Sequence, residues 1–153
     1  PPVPGLPSPI GAADQLRDQQ DVRDLEIVNQ RLLDAIASGD KLTYSVLVDD
    51  GVTAFEPEAC GHLVTGKAFH KFYFDLNEEN GEPASASTIV EPRYRVFGDA
   101  AVVTYVRLQQ RGRATTRTEE TRVWRRCAPG ADAALGRWRL VHFHRSEPRN
   151  AYG

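Results

Sequence analysis

The apolar period of this chain changes once, just after residue 83, and that change limits what it can fold into. From Asp24 to Ser38, the residues Leu25, Val28, Leu32 and Ile36 recur three or four positions apart, with Leu33 and Ala35 widening the stripe. That spacing predicts an amphipathic helix, and Gly39 stands where a left-handed C-cap belongs. The polar DQLRDQQDVRD run ahead of it either extends the helix or frays. Asp40 suits the N-cap of a short second helix in KLTYSVLV, which DDG breaks. VTAFEPE reads as a short strand ending at Pro57, GHLVTG as a turn-rich connector, and KAFHKFYFDL as a third helix with Phe69, Phe72, Tyr73 and Leu76 on one stripe. After the loop NEENGEP the period becomes two. ASASTIVEPRYRVF, AAVVTYVRLQQ, ATTRTEETRVWRR and RWRLVHFHRS are rich in β-branched and aromatic residues and are separated by turn signals, which predicts an antiparallel meander. Helices first and strands afterwards predict an α+β fold, with the helices on one face of a curved sheet.

The faces of those strands pose a second constraint. Val103, Tyr105, Arg107 and Gln109 share one face, and Val102, Thr104, Val106 and Leu108 the other. In the last strand strict alternation puts Arg137, Arg139, Val141, Phe143 and Arg145 together, opposite Trp138, Leu140, His142 and His144. Both faces carry apolar groups, whereas a sheet covered by its own helices on one side needs a polar surface on the other. The second face therefore predicts burial against another subunit, through Val102, Val106, Leu108, Trp138, Leu140, His142 and His144.

With 153 residues the chain is long enough for one core and needs no second domain. PPVPGLPSPI has five prolines and no charge, and reads as an extended linker. The expected division is a flexible Pro-rich linker or N-terminal extension over 1–20, a folded domain over 21–147 and a tail over 148–153. The start at Pro1 and the lack of any Met suggest a piece of something longer. No apolar run approaches a membrane span and no secretory leader opens the chain, so membrane partners are not expected and a cytoplasmic location is. Cys60 and Cys127, without metal-ligand spacing, read as reduced thiols. Residues 1–92 carry six Lys/Arg against sixteen Asp/Glu, and residues 93–153 thirteen against five, or −10 followed by +8. The basic residues sit at strand spacing among apolar ones, so pairing within or between subunits explains the asymmetry better than nucleic-acid binding, which also lacks exposed aromatic platforms here.

LLDAIASGD, GVTAFEPEACGHLVTGKAFHKFYF, GDAAVVTYVRLQQ, TRTEETRVWRR and RWRLVHFHRS, taken in order, closely resemble the association (hub) domain of calcium/calmodulin-dependent protein kinase II. The resemblance implies a cone-shaped fold shared with nuclear transport factor 2 and ketosteroid isomerase relatives, in which a long helix lies in a strongly curved antiparallel sheet. It implies a non-catalytic scaffold, without cofactor, that assembles dimers into two stacked rings of roughly 12 to 18 subunits and gathers kinase domains. It further implies a pocket lined by Arg107, Arg122 and Arg145, with His70 from the third helix and Tyr73 three positions on. The chain departs from metazoan hubs in NEENGEP, which lacks their tryptophan flap, in the longer loop CAPGADAALG and in the short RGR turn. It holds no glycine-rich nucleotide loop, HRD or DFG, so any kinase lies in another domain or chain.

An arginine does not discharge when buried, so Arg107 and Arg145 must meet either a carboxylate such as Glu56, Glu58 or Glu120, or a ligand anion. A guanidinium fork suits a small carboxylate or an acidic peptide segment. His142 and His144 lack a third neighbour for a metal. The rival reading is a cone-fold isomerase or dehydratase with His70 and Tyr73 as base and acid, but an arginine-crowded cavity favours holding an anion over abstracting a proton.

Overall fold

The computed structural model describes residues 11–81, 85–128 and 136–147. A long helix α1 (Ala12–Ser38) ends at Gly39, whose φ of 73° lets its N–H close on the Ala35 carbonyl. Asp40 then caps α2 (Lys41–Leu47), accepting from the Thr43 N–H at 3.1 Å and the Thr43 hydroxyl at 2.7 Å. Next come β1 (Val48–Phe55), a single 3-10 turn (Pro57–Ala59), β2 (Val64–Thr65) and α3 (Ala68–Glu79). The chain finishes with β3 (Ala86–Phe97), β4 (Ala100–Arg111), β5 (Ala114–Arg126) and β6 (Trp138–Ser146).

These strands form one sheet in the order β2-β1-β6-β5-β4-β3. The expected meander runs antiparallel from β3 to β6, but β1 lies parallel to β6, so the sheet is not antiparallel throughout. Leu25, Val28, Leu32 and Leu33 of α1 pack in one core with Val103, Trp124, Trp138 and Leu140 of the sheet. The α+β arrangement expected from the change of period, with helices packed on one face of the sheet, is thus built.

Three expectations are revised. The second helix ends before DDG as expected, but the strand expected to follow at VTAFEPE already begins at Val48 and runs through DDG, with Val48, Val52 and Ala54 buried and Asp49 Oδ2 accepting the Gly51 N–H at 3.0 Å. Burial of a neighbouring apolar set overrides local turn propensity there. Residues 12–20 are helical, so of the two readings of the 1–20 segment this part is an N-terminal extension of α1 and not a flexible linker, though every one of its residues is exposed. Residues 1–10 and the tail 148–153 fall outside the described residues.

The third revision concerns β6. Leu140 pairs with Trp124 and His142 with Val123, so Val141 is an extra residue, a β-bulge that reverses the alternation. Trp138 and Leu140 are 0% exposed and belong to the chain's own core, on the same side as Phe143 and Arg145. They are therefore not subunit-contact residues. Arg139, His142 and His144 occupy the outer face, where His142 Nδ1 lies 2.7 Å from the Thr53 hydroxyl and Phe55 rests against both imidazoles. Val102, Val106 and Leu108 are half-buried on that face. Among the described residues no helix is long and apolar enough to cross a membrane, and both cysteines are unbridged.

Candidate functional site

Beyond the end of the apolar core, the inward positions of β4, β5 and β6 stop being hydrocarbon. Strand phase carries Val103 to Tyr105 to Arg107, Trp124 to Arg122 to Glu120, and Phe143 to Arg145. Register places Tyr105 beside Glu120, Glu120 beside Arg145, and Arg122 beside Phe143. These side chains meet the C-terminal end of α1, α2 and α3 around a cavity of about 660 Å³. Arg107, Arg122, Arg145, His70 and Tyr73 all line it.

Its floor is a dense polar network. Arg122, 2% exposed, donates from Nε to the Tyr105 hydroxyl at 2.7 Å and from Nη2 to Glu120 Oε1 at 3.3 Å, while its guanidinium lies 4.8 Å over the Phe143 ring. The same carboxylate oxygen is 3.7 Å from Arg107 Nη1. Burial works to raise the Glu120 carboxyl, but the Arg122 and Arg107 charges overcome it and hold it below the usual range. Burial pushes the Tyr105 phenol up to about 12, so it stays protonated beside Arg122. Arg107 is lowered chiefly by burial, against the pull of Glu120, and donates to Gln109 Oε1 at 3.4 Å, while Gln109 Nε2 donates to the Ser85 hydroxyl at 2.9 Å.

The wall is built by His70 and the segment after β1. His70 Nε2 is 2.9 Å from Glu56 Oε1, and its ring lies 5.4 Å from Phe143 and 5.9 Å from Tyr44. Arg145 bonds Glu58 and stands 3.8 Å from Glu56. Both readings of the arginines thus meet in one place: they face a cavity, and each already has a carboxylate from this chain. Among the described residues, three buried polar atoms here have no hydrogen-bond partner, Arg107 Nε, Glu120 Oε2 and His70 Nδ1.

The family model for the calcium/calmodulin dependent protein kinase II association domain matches residues 21–148. The chain belongs to this family. Its association domain is 44% identical over 130 residues to calcium/calmodulin-dependent protein kinase type II of Caenorhabditis briggsae, covering 81% of this chain and 22% of that kinase. The chain therefore spans about a fifth of that relative's length. The crystal structure of the S. rosetta hub of the same kinase superposes with a TM-score of 0.70 at 46% identity, over 82% of this chain and 95% of that one. A nuclear transport factor 2-like protein from Cytophaga hutchinsonii, 22% identical with a TM-score of 0.61 over 85% of this chain and 98% of that one, shares the fold alone. An association domain is a non-catalytic assembly module, and oligomerisation is its role.

Several lining residues had no sequence signal of their own. Tyr44 and Lys41 come from α2, and Phe74 and Glu78 from α3. Tyr44 packs tilted against Phe74, with ring centroids 4.9 Å apart. Only the i to i+4 step from His70 to Phe74 hinted that α3 turns an aromatic edge inward.

Proposed function

We propose that this association domain pairs through the outer face of its sheet, that the pairs close into a ring of roughly 12 to 18 subunits, and that each cavity holds a small carboxylate or an acidic peptide segment. The observation that carries the assembly is the apolar outer face. Val90, Val102, Val106, Leu108 and Val123 lie half-buried side by side on β3, β4 and β5, with Phe55 41% exposed beyond β6. A sheet face of that composition is stable in water only when covered, and a self-complementary face is what a two-fold pair requires. The ring serves to gather kinase or other partner domains, in the same chain or recruited, in the cytoplasm.

Mass photometry at micromolar concentration tests the assembly. Particles of many times the 17.0 kDa chain mass are expected, and a monomer or lone dimer would rule out the ring. Val106→Asp, which places a charge on the outer face, should reduce the particle mass while leaving the helical circular dichroism unchanged.

A further inference from the structure

The charges around the cavity cancel. Five cations line it (Lys41, Arg107, Arg111, Arg122, Arg145) and five anions (Asp40, Glu56, Glu58, Glu78, Glu120), with histidine neutral. Arg111, exposed at the end of β4, has no ion pair among the described residues, but Arg107, Arg122 and Arg145 each already meet a carboxylate of this chain. An anion that binds one of these three inner arginines has to replace a carboxylate that the chain already supplies, and the three glutamates near them differ in how readily they can leave.

Glu120 has a side chain 0% exposed and is shared by Arg107 and Arg122 on the floor. Removing it leaves two buried cations facing each other, which is strongly unfavourable. Glu56, 5% exposed, is held by His70. Glu58 differs on each count. It sits on the single 3-10 turn Pro57–Ala59 at the rim, its side chain is 37% exposed, and among the described residues its one ion-pair partner is Arg145. Rotating it outward transfers a carboxylate to water at little desolvation cost. Arg145, with a side chain 16% exposed, stays behind facing the cavity.

We infer that Glu58 is a built-in competitor: its carboxylate occupies the Arg145 position in the free subunit, and an incoming carboxylate binds by displacing it. This rests on the anion-pocket reading above and sharpens it. Arg145 is the arginine through which affinity is set, while Arg107 and Arg122, tied to Glu120, shape the floor. The alternative fate of Arg145 is to close on Glu56, 3.8 Å away, once Glu58 is gone.

The test is a calorimetric titration of propionate, and separately of an acetylated triglutamate peptide, into the assembled wild type, Glu58→Gln, Glu58→Ala, Arg145→Ala and the Glu58→Gln/Arg145→Ala double variant. Both Glu58 variants should bind about tenfold more tightly than wild type, the loss of one charge-assisted competitor. The double variant should lose that gain entirely. Glu58 variants that bind like wild type, with wild type itself binding, would overturn the competitor while keeping the pocket, and would mean that Arg145 closes on Glu56. A gain that survives in the double variant would overturn it as well, by removing Arg145 from the exchange. No binding by any protein would overturn the anion pocket itself and the competitor with it.

Discussion

Arg126, at the end of β5, grips Asp21 of α1 through two parallel bonds of 2.7 Å, joining residues 105 apart in sequence. The arginine also lies 4.4 Å over the Trp138 ring and donates to the Gly98 carbonyl at 3.3 Å. This clamp fixes the first half of α1, whose residues 12–20 are exposed, against the sheet. The hydrogen bond from Arg126 is the main reason that the Asp21 carboxyl lies below its ordinary value of 3.8.

Because the folded-state value is depressed, the clamp stabilises fully above the unfolded value and is lost as pH falls through the folded one. Asp21→Asn should cost about 2 kcal/mol at neutral pH, less than a fully buried pair because Arg126 is partly exposed. Urea unfolding from pH 7 down to about pH 2 should show the gap to wild type closing only below the ordinary carboxylate range. A gap constant with pH would mean that Asp21 acts by packing rather than charge.

Arg122 is expected to be a folding residue as much as a pocket residue. Truncating it leaves Glu120, a carboxylate with no exposed side-chain surface, without its nearest cation. Arg122→Ala should destabilise the subunit by about 3–5 kcal/mol. Adding Glu120→Gln should recover part of the loss, because the stranded charge is then absent. Unfolding of the two single variants and the double variant gives the coupling directly, and additive effects would deny that the two groups act as a pair.

The bulge at Val141 makes two neighbouring pairs of β6 residues behave differently. Leu140→Ala should cost about 2–5 kcal/mol and Trp138→Ala about 3–5 kcal/mol, as core truncations do. His144→Ala should stay within about 0.5 kcal/mol in chain stability, and any effect should appear in the assembled mass instead. Similar unfolding midpoints for Leu140→Ala and His144→Ala would restore the unbroken alternation.

That bulge also marks where the sequence stops being readable. The helices α1 and α3 and the strands β4 and β5 are legible because each repeats one period over 12 residues or more, and β3 and β6 still read as strands from their β-branched and aromatic residues although each carries a register shift. One inserted residue is invisible to alternation, which therefore puts Trp138 and Leu140 on the wrong face and Phe143 and Arg145, beyond the bulge, on the right one. The inward phase of Arg107 follows from Val103 and Tyr105, but that of Arg122 and His70 came from family resemblance, since TRTEETRVWRR has polar residues on both faces. The parallel pairing of β1 with β6 is a contact across some 90 residues, set by the shared core and not by any local signal. Glu56, Glu58 and Glu120 were recognisable as possible partners, yet only the register separates the rim residue Glu58 from the floor residue Glu120.

The helix α3 contributes His70, Tyr73 and Phe74 to the cavity, yet none of its residues is buried and Phe72 is 59% exposed. Phe69 and Phe74 pack against the core, and lysine ties add to that hold. Lys41 of α2 reaches Asp75 at 2.7 Å and Glu78 at 2.5 Å, and Lys67 at the head of α3 reaches the Ser45 carbonyl at 2.6 Å and Asp50 at 2.9 Å. The hydrogen bond from Lys41 keeps the Asp75 carboxyl below its ordinary value. Because Lys41, Asp75 and Glu78 are well exposed, added salt should weaken these ties where it leaves the floor network intact. Hydrogen exchange should therefore show amides of residues 72–79 opening faster in Lys41→Ala than in wild type at low salt, with the two proteins converging at about 1 M salt. Amides of β5 should be unchanged by either. Equal exchange in α3 at low salt would mean that the Tyr44–Phe74 contact, not the lysine, closes the cavity.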